Sequence, residues 1–194
     1  MIVGIDELPR SILYYRQQLQ WLGGMGIIVL AVAVLPMLGI GGMQLYRAET
    51  PGPMKDTKLK PRITETAKAL WYLYLGFTLT CMLGYKAAGM NWFDSLCHAF
   101  STVAIGGFST HDQSIGYFDS TAIDLVAMVF MFLAGINFSL HFFAWRYVSI
   151  RHYLEDPELR AYSVFLFVVS VIVVLTLLMT GESVSYSLIE GTFQ

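Results

Sequence analysis

Four long stretches of this sequence carry no Asp, Glu, Lys or Arg, and they constrain the fold more than any other feature. They are residues 21–43, 69–85, 125–145 and 161–181. A helix of about 20 apolar residues crosses the ~30 Å hydrocarbon core of a bilayer. Spanning segments must be helices or closed barrels, and these stretches lack the strict alternation of a barrel strand. They predict four spanning helices in an all-α membrane protein.

The composition excludes several classes of protein. Charged residues make up 13% of the 194-residue chain, about half the share of a soluble domain, which is roughly 25%. The net charge of −2 implies no basic surface for nucleic acid. The two cysteines, Cys81 and Cys97, make neither a disulfide framework nor a zinc cluster. Because nucleophile elbows and phosphate-binding glycine loops are also absent from the sequence, we expect no enzyme activity and no covalently bound cofactor.

Basic residues mark the sides of the membrane. The loop between the first two stretches and the loop between the last two are rich in Lys and Arg. In residues 86–122 the only Lys or Arg is Lys86. Lys and Arg accumulate in cytoplasmic loops. The sequence therefore predicts a multi-pass protein with loops 44–68 and 146–160 in the cytoplasm and residues 86–122 in the periplasm, and membrane lipid surrounds it.

A short uncharged segment precedes a pair of glycines between the second and third spans. Asn91 can cap a helix, and Asp94 favours its positive end, so we predict a short helix over 92–100. The segment then reaches Gly106 and Gly107. It is too short to span, and hydropathy alone allows either a re-entrant segment or a surface loop.

Short internal sequence similarities divide the chain into repeats. Phe93, Leu96 and Phe100 recur as Tyr186, Ile189 and Phe193, and residues 22–26 resemble residues 133–137. We predict the following boundaries: the end of a first repeat over 1–50 (an outer segment and a second spanning helix), a cytoplasmic linker over 51–62, a complete second repeat over 63–153 and the truncated start of a third over 154–194. Within the second repeat we predict a pore helix over 92–100, a filter over 102–108 and a helix over 121–150.

A glycine turn at the end of a re-entrant helix can bind a cation. The carboxyl end of a helix carries partial negative charge, and an extended turn can direct main-chain carbonyls at a dehydrated monovalent ion. We predict that the carbonyls of Ala104, Ile105, Gly106 and Gly107 bind the ion. One such turn cannot surround an ion, so four are needed, supplied by four repeats or by four chains.

The run HAFSTVAIGGFSTHD over 98–112 closely resembles the second pore loop of the TrkH/TrkG family of bacterial potassium-uptake proteins, within the Trk/Ktr/HKT superfamily. The runs SIGYFDS over 114–120 and QWLGGMG over 20–26 fit as well. The resemblance implies helix–pore loop–helix repeats around a potassium-channel-like pore, with Gly107 as the matching filter glycine. The chain resembles a fragment, because it contains only one complete repeat.

The resemblance also implies a setting and partners. We expect inward movement of potassium, as substrate, across the bacterial inner membrane. The expected partners are the rest of the parent transporter, a second copy in a homodimer, and the cytoplasmic nucleotide-binding subunit TrkA. Two alternatives remain open, namely a self-assembling homotetrameric channel with one pore loop per chain and a non-conducting membrane assembly module.

Several polar residues outside the turn invite a functional interpretation. Asp112 and Asp119 could draw cations to the outer mouth, although a solvated loop explains them equally well. Arg16 could pair with a carboxylate there. His98 is interpreted as a packed residue of the pore helix. His141 and Asn137 are interpreted as interhelical hydrogen-bonding groups.

Overall fold

The computed structural model describes residues 4–26, 63–147, 149 and 151–179, and it is helical wherever its secondary structure is regular. The helices are α1 (Arg10–Trp21), α2 (Ile63–Ala87), α3 (Trp92–Val103), α4 (Thr121–Gly135), α5 (Phe138–Tyr147), α6 (Arg151–Glu155) and α7 (Pro157–Met179). Two short 3₁₀ helices cover Ile5–Glu7 and Ser114–Phe118. No strand occurs in these ranges, which confirms the predicted all-α class.

The core forms where α3 packs against α1, α2 and α4. One stripe of α2 is almost fully buried, and its members Leu70, Tyr74, Cys81 and Tyr85 follow the spacing of a helix face. From Asp94 onward α3 is buried at nearly every position. Trp92 at the start of α3 is exposed, but the segment 94–103 is covered by the neighbouring helices and does not lie on the surface.

The short helix α3 begins where the sequence predicts and ends later. Asn91 caps it, since the Asn91 side chain accepts a hydrogen bond of 2.9 Å from the Asp94 amide. The helix continues to Val103, three residues beyond the predicted end, so the predicted filter segment 102–108 starts inside its last turn. Burial of Val103 and a 2.6 Å hydrogen bond between the Thr102 and Tyr85 hydroxyls hold this extra turn in place.

The helix predicted over 121–150 is broken in two, which corrects that prediction. α4 ends at Gly135, Ile136 is extended (φ −75°, ψ 142°), and the two halves meet at 95°. The His141 ring bridges the break, with Nε2 2.9 Å from the carbonyl oxygen of Leu133 and Nδ1 2.7 Å from the Tyr153 hydroxyl. These bonds, with that from Asn137 to Glu158, confirm the interhelical role predicted for His141 and Asn137.

By length and composition, α7 could cross a membrane alone, and α4 with α5 could form a second crossing. The Asp156 carboxylate caps α7 by accepting the Glu158 amide at 3.1 Å. The predicted span 69–85 lies within α2, which has 25 residues. The predicted linker 51–62, most of the predicted span 21–43 and the third pore helix near Tyr186 lie outside the described residues.

Candidate ion-binding turn

The glycine turn, defined here as residues 104–108, begins with a helix cap that carries an unusual residue. The Gly106 amide donates to the Ser101 carbonyl at 2.8 Å, and the Ile105 amide donates to the Thr102 carbonyl at 3.1 Å. This pair of bonds is a Schellman cap, in which glycine normally occupies the left-handed position. Here Ile105 occupies it with a φ of 51°. A β-branched residue with positive φ is a conformational outlier, so the fold around the turn imposes this conformation.

The sign of φ alternates along the turn. Ala104 has a φ of −81° and Ile105 one of 51°, Gly106 lies outside the positive region, and Gly107 has a φ of 74°. The two glycines are needed for different reasons. A Cβ on Gly107 would meet no atom within 4 Å, but its φ disfavours a side chain. Gly106 has no such restriction, yet a Cβ there would overlap the amide of Gln20.

Hydrogen bonds from α3 hold the chain beyond the turn. His98 is 4% exposed, its Nδ1 lies 2.9 Å from the Asp94 carbonyl oxygen, and its Nε2 lies 2.9 Å from Ser109 Oγ. Since a carbonyl only accepts, Nδ1 carries the proton and Nε2 accepts from the Ser109 hydroxyl. Ser109 Oγ in turn accepts the His111 amide at 3.1 Å. His98 is therefore a packed, hydrogen-bonded residue, as the sequence predicts.

The Asp94 carboxylate joins three segments beside the glycine turn. It accepts from the Thr110 hydroxyl at 2.7 Å and from the Asn91 side-chain amide at 2.6 Å, and His111 Nε2 lies 3.4 Å away. Burial alone would raise the pKa of Asp94, but these hydrogen bonds outweigh it, and the pKa lies below its ordinary value. Asp94 is therefore ionised and fastens the segment after the turn to the start of α3.

A strap from the start of the chain crosses the segment that follows the turn. The Asp112 carboxylate accepts the Gly4 amide at 3.1 Å and the Ile5 amide at 3.0 Å, and Asp6 Oδ1 lies 2.7 Å from His111 Nδ1. The exposed Asp112 thus has a structural bond as well as its predicted role at the outer mouth. Asp119 is also exposed and ends the Ser114–Phe118 helix with a φ of 42°.

Electrostatic support for a cation at the turn comes from the main chain. Across the described ranges, no group of three or more His, Cys, Asp or Glu side chains could hold a metal ion. The carboxyl end of α3 meets the turn directly and contributes partial negative charge there. The guanidinium of Arg16, predicted to pair with a carboxylate, lies over the Phe108 ring with 5.6 Å between the Arg16 Cζ and the ring centre.

Sequence reasoning missed Tyr85, Gln20, Ser109 and Thr110, which fix the turn from its flanks. Ser and Thr near a loop are too common to be singled out, and Tyr85 lies in a stretch that reads only as an apolar span. A signal for Gln20 was available, because it lies four residues after Arg16, on the same face of α1.

A short capped helix that ends in a glycine turn between two long helices defines a membrane protein of the pore-loop class. The chain belongs to the TrkH family. The TrkH family model, described as a cation transport protein, matches residues 1–188. The family is thus described as one of transport proteins and not of enzymes.

Individual relatives agree with this assignment. The chain is 62% identical over 191 residues to the Trk system potassium uptake protein TrkH of Halomonas elongata. That alignment covers 98% of this chain and 39% of the relative. It is 56% identical over 176 residues to the protein of the same name from Escherichia coli, and this alignment covers 91% of this chain and 36% of the relative. The crystal structure of the potassium transporter TrkH from Vibrio parahaemolyticus matches with a TM-score of 0.80 and 48% identity, over 99% of this chain and 38% of that one. The chain thus spans about two fifths of the length of these relatives.

Proposed function

We propose that this chain is a pore-forming part of a potassium-uptake transporter and that it contributes one wall of a selectivity filter. The main-chain carbonyls of Ala104, Ile105, Gly106 and Gly107 are the proposed ion-binding groups. Potassium is the transported substrate and moves inward down its electrochemical gradient. Because the chain is two fifths as long as its relatives, the remaining walls come from the rest of the parent transporter.

The observation that carries this proposal is the alternation of φ along the glycine turn. When neighbouring residues alternate between right- and left-handed conformations, successive N–H groups face one side, and their carbonyls face the other. A row of carbonyls on one side replaces the hydration shell of a monovalent cation. Ile105 and Gly107 hold the left-handed positions, so the turn has this alternation despite the conformational cost at Ile105.

The proposed setting follows from charge and from the relatives. The loops 44–68 and 146–160 face the cytoplasm and residues 86–122 face the periplasm of the bacterial inner membrane. The relatives are components of Trk systems, so the proposed partners include a second copy of the transporter and a cytoplasmic nucleotide-binding subunit of the TrkA type. Asp112 and Asp119 would raise the local cation concentration at the outer mouth.

A chimera tests the proposal. This chain replaces the matching segment of the Halomonas elongata relative, and the product is expressed in bacteria that lack potassium uptake. We expect growth in low potassium and uptake of rubidium as a tracer, at the level of the unaltered relative. Normal amounts of chimera in the membrane without uptake would refute the proposal.

Expression of this chain alone separates the alternatives. We expect no growth in low potassium and no stable tetramer after crosslinking in detergent. Restored growth together with a crosslinked tetramer would favour the homotetrameric channel. An inactive chimera that still binds the other subunits would favour the assembly module.

A further inference from the structure

The second half of α1 and the residues just after it lie along the glycine turn. Three positions spaced four apart meet the turn in reverse order, and the pairs are Arg16 with Phe108, Gln20 with Gly106 and Gly24 with Ala104. Arg16 and Gln20 lie within α1, whereas Gly24 lies beyond its end, in the π-helical segment Leu22–Gly26, where its φ of −70° and ψ of −125° are not helical. The contacts with the turn therefore continue from α1 into the segment that follows it.

The contact between Gln20 and Gly106 is the closest of the three. The amide and the adjoining side-chain carbons of Gln20 occupy the space that a Cβ on Gly106 would need. At the next step, a Cβ on Gly24 would lie 3.2 Å from the Ala104 Cβ. The Gln20 amide thus lies directly against the main chain whose carbonyls are the proposed ion ligands.

The same two turns of α1 hold unsatisfied polar atoms. Among the described residues, the buried side-chain nitrogen and oxygen atoms without a hydrogen-bond partner are Arg16 Nη1, Gln17 Oε1 and Gln20 Oε1. Gln17 as a whole is only 1% exposed. Buried polar atoms normally find partners, because leaving them unpaired costs free energy. Polar groups held at this place at such a cost indicate a role that apolar packing does not fill.

We propose that Gln20 is a positioning residue for ion selectivity and that its amide sets the position of the Gly106 main chain. An amide both donates and accepts hydrogen bonds, so Gln20 can pair with a neighbouring peptide group in either orientation as ions pass. An apolar side chain of equal length fills the same space but cannot form these bonds. The inference rests on the proposed function, because it assumes that the glycine turn lies in the ion path.

Substitutions in the chimera test this role, with the potassium-to-sodium uptake ratio as the readout. Gly106→Ala places a methyl group against the Gln20 amide, and we expect about a tenfold fall in the ratio, the usual scale of coupling between touching residues. Adding Gln20→Ala removes the obstructing amide and should recover part of that loss. Gln18→Ala is the matched control, since Gln18 is a neighbouring glutamine outside these contacts, and it should neither lower the ratio alone nor rescue Gly106→Ala.

A second variant separates amide chemistry from filling of space. Gln20→Met keeps the length of the side chain and removes its hydrogen-bonding groups, so we expect a lower ratio with unchanged protein abundance. A full ratio in Gln20→Met would overturn the inference even if Gly106→Ala failed to fold. A loss in Gly106→Ala that Gln20→Ala does not relieve would also overturn it, while leaving the proposed function intact. If Gly106→Ala and Gly107→Ser both kept the normal ratio in a folded, active chimera, the proposed function itself would fail.

Discussion

Removal of the Asp94 carboxylate tests how the segment after the glycine turn is held. In Asp94→Ala, the Thr110 hydroxyl loses its acceptor and, because Thr110 is only 1% exposed, it cannot bond to water instead. The Asn91 side-chain amide also loses its acceptor, but Asn91 is exposed and its amide can bond to water. A hydrogen bond to a charged group contributes about 1.5–3 kcal/mol. Loss of a carboxylate in the first turn of α3 removes roughly a further 0.5 kcal/mol. We therefore expect local destabilisation of about 3 kcal/mol.

Hydrogen exchange of residues 105–118 in the purified chimera measures this loss directly. A cost of about 3 kcal/mol corresponds to about 100-fold faster exchange through local opening. Asp112→Ala is the control, because its exposed carboxylate accepts the backbone amides of Gly4 and Ile5, and about 1 kcal/mol or less is expected there. Equal acceleration in the two variants would show that Asp94 is not the principal tie.

The pH dependence gives an independent check of the same residue. Because the folded-state pKa of Asp94 is lowered, its contribution to stability is complete above the ordinary carboxyl pKa, about 4, and disappears as the pH falls through the lowered value. Exchange of residues 105–118, corrected for its intrinsic rate, should therefore accelerate on acidification below about pH 4. Asp94→Asn keeps an acceptor for Thr110 and should flatten this acid limb. An unchanged acid limb in Asp94→Asn would assign the pH dependence to another group.

Three further predictions concern the turn and the helices around it. Gly107→Ser meets no steric obstacle but strains a φ of 74°, so it should weaken potassium-to-sodium discrimination in uptake assays on the chimera, and unchanged discrimination would count against the filter assignment. Tyr85→Phe breaks the 2.6 Å hydrogen bond to Thr102 and should lower the free energy of unfolding by about 1 kcal/mol, seen as a lower thermal midpoint. An unchanged midpoint would show that this hydrogen bond does not stabilise the fold. Gly135→Ala collides with the hydroxyl and the ring carbon Cζ of Tyr162, so it should lower the midpoint less in a Tyr162→Ala background than in the unaltered chain, and an equal loss in both backgrounds would disprove the contact.

Local chemistry made part of this fold predictable. Asn91 caps a helix where the sequence predicts it, because capping depends on the residue and its immediate neighbours. The break after Gly135 was not predicted, although Ala134 and Gly135 are both small residues. Small residues serve both close packing and helix interruption, and only the tertiary contacts of His141 and Tyr162 favour the interruption here.

The site was predictable in place but not in detail. The Gly106–Gly107 pair identified the turn, yet nothing in the sequence separates a glycine needed for space from one needed for its φ. That distinction depends on Gln20, which is far away along the chain. Thr102 and Val103 read as extended residues because they are β-branched, whereas burial and the Tyr85 hydroxyl keep them helical. Long-range contacts therefore decided each point that local patterns left open.

The strap between Gly4 and Asp112 sets an order of events during biogenesis. Its two ends are separated by 108 positions. At a synthesis rate of about 5–20 residues per second, the leading end waits roughly 5–20 seconds for its partner to leave the ribosome. The polar face of α1 waits almost as long for α3. The strap therefore closes only after all the residues between Gly4 and Asp112 have been synthesised, so its formation follows that of any contact made within this interval alone.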